Sequence, residues 1–288
     1  MKWLLFGGNG WIGGMVKTYL EKKGETVFCS QVRADDESNV EQELVSIFPD
    51  RVLCLIGRTH GPGYSTIDYL EQKGKLVENI RDNLYSPVVL ALLCKRFHIH
   101  LTYLGTGCIF TYRDQTVFDE KDKPNFFGSG YSTVKGFTDR LMHFFKNEVL
   151  NLRIRMPIVG YHHPRNFITK ITQYERVCSI QNSMTVLEDM IPVMISLAER
   201  NKTGTFNLTN PGTIEHNEIL ELYKQIVDPA FEWKNFTLEE QSKILLSERS
   251  NNELDASLLK SEFPDMKDIR TSVKDLFLQW NRTYLSEK

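Results

Sequence analysis

Tyr131 and Lys135, a phenol and an amine four positions apart, are the pair in this sequence best spaced for chemistry. On a helix that interval stacks both side chains on one face. The lysine would lower the tyrosine's pKa and grip a ribose, while the phenol protonates a carbonyl oxygen as hydride arrives. The spacing alone means little, because Tyr19/Lys23, Tyr69/Lys73 and Tyr284/Lys288 repeat it. Thr106 singles out Tyr131, since it follows an apolar, strand-like stretch upstream in the chain. Parallel α/β sheets bind ligands beyond the carboxyl ends of their strands, so Thr106 can meet Tyr131 over a substrate.

A second constellation is Gly7, Gly10 and Gly13, which separate a short apolar run from a helical pattern opened by Trp11 and Ile12. Glycines permit the tight turn and let phosphates approach main-chain N–H groups, and a helix N-terminus adds a partial positive charge. An acidic residue after the second strand favours NAD, whereas here Ser30, Gln31 and Arg33 stand there. A cation suits the extra 2′-phosphate of NADP, although Asp35 and Asp36 follow closely. The expected cofactor is therefore NADPH (NADP), held by Gly7, Gly10, Trp11, Ile12, Gly13 and Arg33 together with Tyr131 and Lys135.

Strand-like and helix-like segments alternate from residue 2 to residue 155, with helical stretches predicted over 11–23, 39–48, 73–97 (reset near Pro87) and 130–146. The last carries an apolar stripe of Phe137, Leu141, Phe144 and Phe145. Such alternation implies right-handed crossovers and a doubly wound parallel α/β sheet of the Rossmann type. The pattern divides the chain into a dinucleotide-binding domain over 1–157, with 177–208 returning to it. A smaller substrate-binding lobe takes 158–176 and 209–288. Residues 177–180 and 205–208 are both expected to rejoin the sheet.

The 288 residues are 41% hydrophobic and 25% charged, enough for a large core, and the net charge of −2 asks for neither nucleic acid nor an anionic membrane. No apolar run approaches the ~20 residues of a membrane span, and the run before Gly7 is too short for a secretory leader. The cysteines Cys29, Cys54, Cys94, Cys108 and Cys178 are scattered without a C-x-x-C, so they read as reduced thiols in a cytoplasmic protein. His98/His100 and His162/His163 lack further ligands nearby, and no metal is expected.

Taken together, these residues resemble the extended short-chain dehydrogenase/reductase family. Gly105-Thr106-Gly107-Cys108-Ile109-Phe110 narrows the resemblance to the bifunctional UDP-4-keto-6-deoxy-glucose 3,5-epimerase/4-reductases of UDP-L-rhamnose synthesis in plants and giant viruses. Matching stretches in both halves include Arg155-Met156-Pro157-Ile158, Pro164-Arg165-Asn166-Phe167 and Arg249-Ser250-Asn251-Asn252-Glu253. One departure is Cys54-Leu55-Ile56-Gly57, where those relatives carry Asn-Ala-Ala-Gly.

The resemblance implies that Cys108 and Lys170 serve as base and acid for inversion at C3 and C5. Thr106, Tyr131 and Lys135 would then reduce C4. Asn166 and Asn182 are expected on sugar or phosphate oxygens and Arg249 on the nucleotide diphosphate, with an ordinary polar or capping role open for each. No 4,6-dehydratase is fused here, so a separate enzyme would supply UDP-4-keto-6-deoxy-glucose. Superfamily analogy suggests a homodimer. Two rivals remain: a monofunctional dTDP- or GDP-4-keto-6-deoxysugar reductase, and a non-catalytic NADP-binding regulatory subunit.

Overall fold

The structure, a computed structural model, describes residues 1–112 and 116–286. Strand β1 (Lys2–Phe6) leads through α1 (Trp11–Lys22) to β2 (Thr26–Cys29), and α2 (Glu37–Ile47) leads to β3 (Arg51–Cys54). A long loop then reaches α3 (Leu76–Ile80), a π-helical turn (Arg81–Tyr85), α4 (Ser86–Arg96) and β4 (His100–Thr106). Next come β5 (Val117–Phe118), α5 (Gly130–Met142), β6 (Val149–Ile154), β7 (Pro157–Ile158), α6 (Phe167–Ile171) and β8 (Arg176–Val177). They are followed by β9 (Thr185–Val186), α7 (Leu187–Glu199), β10 (Gly204–Asn207), α8 (His216–Ile226) and β11 (Lys234–Asn235). The chain closes with α9 (Leu238–Ser242), β12 (Glu253–Leu254), α10 (Ser257–Glu262) and α11 (Ile269–Ser286).

Six parallel strands form the central sheet in the order β10-β6-β4-β3-β1-β2, the doubly wound arrangement anticipated above. The winding direction reverses between β1 and β3, which opens a crevice at their carboxyl ends. Period-two alternation sends Trp3 and Leu5 to one apolar face with α1 and α7, and Leu4 and Phe6 to the other with α2 and α4. A separate core joins Ile158, Ile168, Ile171 and Val177 to residues of α8 and α11.

Two expectations need correction. Residues 177–180 do not rejoin the central sheet: β8 pairs with β11, because Val177 is buried in the separate core. Of the pair only β10 returns, beside β6. The apolar stripe predicted over 130–146 does not form one packed face either: α5 ends at Met142, Phe137 and Phe144 are 56% and 80% exposed, and Phe145 packs against the core. The face turned inward carries Tyr131, Val134, Lys135, Thr138 and Asp139. A helix that buries its polar side against a sheet is positioning reactive groups.

The predicted reset near Pro87 has a clear cause. Proline has no N–H to give, so the helix widens into a π turn, with the Ser86 N–H reaching Arg81 O. The freed carbonyl of Asn83 takes the Thr138 hydroxyl from α5 at 2.7 Å. Thr138→Val strands that buried carbonyl and is expected to destabilise the fold by about 1–3 kcal/mol, read from denaturant unfolding.

Candidate active site

Thr106 ends β4, its neighbour Ile154 ends β6, and beyond them the chain turns away. The Thr106 hydroxyl accepts the Cys108 N–H at 3.0 Å and donates to Ile154 O at 3.4 Å. It also lies near the Tyr131 phenol and lowers its pKa. Tyr131 is the second residue of α5, whose start is capped by Ser129 accepting the Ser132 N–H at 3.0 Å. The Cys108 side chain packs beside Tyr131 together with Tyr69 and Leu70. The structure thus brings Thr106, Cys108 and Tyr131 together at the end of β4.

Burial pushes the Tyr131 phenol above its ordinary value, with neighbouring Cys108 adding to the rise and the Thr106 hydroxyl pulling it down. The idea that Lys135 lowers it does not hold here, because the Lys135 amine instead donates to Tyr103 Oη at 2.5 Å. A phenol that keeps its proton suits the role of acid. Burial pulls the Lys135 ammonium down to about 8.

Lys170 lies on α6, where its amine donates to Ser65 O at 3.1 Å. Burial, then the charges of Arg165 and Arg249, hold its ammonium below the usual lysine value. Arg165 donates to His60 at 2.7 Å, and Arg249 Nη2 donates to both carboxylate oxygens of Asp68, at 2.9 and 2.8 Å. One segment, 60–70, therefore touches all three cations and, through Tyr69 and Leu70, the Cys108 side chain.

The glycine turn fits a dinucleotide. Gly7 adopts φ +85°, and a Cβ there would meet Leu55 carbonyl atoms at 3.0 Å. At Gly13 a Cβ would lie 2.1 Å from Gly7 O, so the helix sits directly on the turn. The first turn of α1 holds no acidic residue, and Gly10 offers no capping side chain, which leaves its N–H donors for phosphate. The Trp11 ring stacks on His163 at 4.6 Å and Ile12 packs into the core, so both face a cofactor through main chain alone. Arg33 stands at the rim, 58% exposed and paired with Asp35 at 2.8 Å.

Comparison with known proteins agrees with this geometry. Protein L780 of Acanthamoeba polyphaga mimivirus is 60% identical over 281 residues, spanning 96% of this chain and 97% of that protein. The crystal structure of L780, described as a UDP-rhamnose synthase, matches with a TM-score of 0.95 over 97% of this chain and 99% of that one. The chain belongs to the rhamnose-forming epimerase/reductase family of extended short-chain dehydrogenases/reductases. An Arabidopsis thaliana bifunctional dTDP-4-dehydrorhamnose 3,5-epimerase/reductase is 42% identical over 286 residues, covering 97% of this chain and 93% of that protein. An Arabidopsis trifunctional UDP-glucose 4,6-dehydratase/3,5-epimerase/reductase is also 42% identical, over 98% of this chain but 42% of its own length. No family model matches the chain.

Within this family fold, two of the expected ligand-binding residues turn out to be braces. Asn166 is fully buried, caps α6, and spends its amide on Val159 O at 3.0 Å and Tyr161 O at 2.9 Å. Asn182 is fully buried as well, with its oxygen on Arg155 and the Asn252 N–H and its amide nitrogen on Ile180 O and Asn251. Neither amide is left for a sugar. Arg249 reaches the site but arrives paired with Asp68. His100 bonds Lys202 O at 2.7 Å and His162 meets the Trp280 ring edge-on, so these histidines serve packing. Of the other Tyr/Lys matches, Tyr69 enters the site by packing on Tyr131, while Lys288 lies outside the described residues.

Sequence reasoning missed Tyr103, Tyr69, Asp68 and Arg155. Only Arg155 left a signal, a charge standing between strand-like residues with no acidic neighbour.

Gly13→Ala is expected to abolish NADPH binding in a fluorescence titration while the circular dichroism spectrum stays native. Lys135 keeps its proton below about pH 8 and loses it above. NADPH affinity should therefore fall as pH rises through that value, and Lys135→Met should remove that step from the titration.

Proposed function

We propose that this protein is a bifunctional 3,5-epimerase/4-reductase that converts UDP-4-keto-6-deoxy-D-glucose to UDP-L-rhamnose with NADPH. The carrying observation is that a thiol, a hydroxyl and a phenol converge at the end of β4, beside a turn shaped for a dinucleotide. A simple carbonyl reducer needs the hydroxyl and the phenol. The thiol is surplus to that reaction and required by inversion.

The C4 ketone acidifies the hydrogens at C3 and C5, because either carbanion delocalises as an enolate. Cys108, as thiolate, takes the proton from one face, and the C–H pair moves into the enolate. The Lys170 ammonium returns a proton to the opposite face, and solvent resets both groups. Bound NADPH supplies hydride to C4. Tyr131 gives its proton to the C4 oxygen, Thr106 holds that oxygen, and Lys135 orients the nicotinamide ribose. Arg33, which pairs with Asp35 at 2.8 Å, would hold the 2′-phosphate. The second lobe presents Arg249 to the diphosphate, which displaces Asp68.

The 4-keto sugar is the product of a 4,6-dehydratase, the activity that the trifunctional Arabidopsis relative names alongside the two carried here. A homodimer forms over α3, α4 and α5, where Leu76, Val77, Leu92 and Phe137 are exposed and apolar. The cytoplasm suits the free cysteines, and no helix among the described residues is long and apolar enough to cross a membrane.

Supplied with UDP-4-keto-6-deoxy-glucose and NADPH, the enzyme should consume absorbance at the NADPH band and yield UDP-L-rhamnose by NMR. Tyr131→Phe should stop NADPH oxidation yet still exchange the C3 and C5 hydrogens with D₂O. Cys108→Ala should lower that exchange by roughly 10²–10⁴-fold. Normal UDP-rhamnose output from Cys108→Ala would leave a plain reductase as the better description.

A further inference from the structure

Two arginines lie two positions apart where β6 ends, and both are fully buried. Arg153 is neutralised by Asp139, with two charge-assisted bonds of 2.9 Å. Among the described residues, Arg155 has no carboxylate within ion-pair distance. Its guanidinium donates to Ser250 Oγ at 3.0 Å, Ser250 O at 3.1 Å, Gly107 O at 3.3 Å, Ser183 O at 3.4 Å and the Asn182 side chain. All of these are neutral dipoles. They satisfy its N–H groups but leave its charge uncompensated, a costly arrangement in a dry site. Two nearby groups can carry negative charge: the Tyr112 phenol, which burial pushes up to about 12 so that it stays protonated at neutral pH, and Cys108, whose Sγ stands 3.9 Å from Nη1.

The surrounding residues hold that approach. A Cβ at Gly107 would come within 3.0 Å of Arg155 Cγ, so the glycine lets the arginine stem pass under the loop that carries Cys108. Thr106 fixes the Cys108 N–H from the other side. Met156, next in the chain, is held at φ +38°, an uncommon angle for a side-chain-bearing residue, at the point where the chain leaves β6.

We infer that Arg155 is a positioning residue for the epimerase step, a fixed buried cation whose unpaired charge holds Cys108 as the thiolate. This rests on the reading of Cys108 as the base. The thiol proton leaves to solvent, the sulfur takes the proton next to the C4 ketone as S–H forms and C–H breaks, and the electron pair enters the enolate. Arg155 keeps its protons throughout and acts only through the sulfur.

The test follows C3/C5 exchange in D₂O without NADPH, so reduction cannot intervene. Arg155→Gln should lose at least about tenfold at pH 7 and recover toward wild type by pH 9, where an ordinary thiol with pKa about 8.5 ionises unaided. Reduction of pre-epimerised UDP-4-keto-rhamnose by the same variant should stay within about threefold of wild type, because one acid/base step is untouched. A loss that ignores pH and strikes both half-reactions alike marks Arg155 as a structural brace and overturns the proposal.

A wild-type measurement covers the case in which the variant fails to fold. Iodoacetamide labelling of Cys108, followed by peptide mass mapping, should accelerate less than about fivefold between pH 7 and pH 9. An ordinary thiol accelerates about 25-fold over that range, whatever its accessibility, and that result would sink the idea. If Cys108→Ala retains full exchange, the epimerase reading itself fails. If it loses exchange while Arg155→Gln does not, only the role of Arg155 falls.

Discussion

The hydroxyl of Thr106 is the atom on which both halves of the proposed chemistry depend. It holds the Cys108 main chain at 3.0 Å and lies near the Tyr131 phenol, whose pKa it lowers. A parallel strand deep in a sheet has its end fixed by both neighbours, and β4 lies between β3 and β6. Thr106 therefore inherits the rigidity of the sheet and passes it to two groups that come from a loop and a helix. Placement of this kind, rather than any exotic residue, lets weak acids and bases work on one ketone.

The same region buries three cations in three different ways. Arg153 has Asp139, which makes it a strut between β6 and α5. Lys135 has only the Tyr103 phenol, and burial brings it to about 8. Arg155 has carbonyls, an amide oxygen and a hydroxyl. Full compensation serves stability, since breaking a buried pair costs more than it ever contributed. Partial compensation leaves a charge ready to meet a ribose in one case and a thiolate in the other. The difference between strut and tool is whether a carboxylate is present.

Much of this was legible in the sequence because it was written in local terms. The glycine turn, the alternation of strands and helices and the Thr106/Tyr131/Lys135 set follow from spacing, and spacing survives folding. What escaped depends on long-range company. Asn166 and Asn182 have the right types for sugar binding, but folding spends both amides on backbone and on Arg155. The apolar stripe predicted over 130–146 obeyed helical periodicity yet leaves Phe137 exposed, because α5 must bury its reactive side. Periodicity identifies a stripe and cannot say which partner it awaits. Tyr103 looked like one more strand aromatic until Lys135 was found on its hydroxyl.

The segment 60–70 shows why a site assembled from distant parts of the chain is hard to foresee. It carries no motif, yet His60, Ser65 and Asp68 hold Arg165, Lys170 and Arg249 in turn, while Tyr69 and Leu70 pack with Cys108. Burial, then the charges of Arg165 and Arg249, lowers the Lys170 ammonium, and Asp68 supplies the carboxylate that pairs with Arg249. A nucleotide diphosphate carries more negative charge than one carboxylate, so in the proposed reading it competes with Asp68 for Arg249 at the place where the 60–70 segment meets both Arg249 and the thiol.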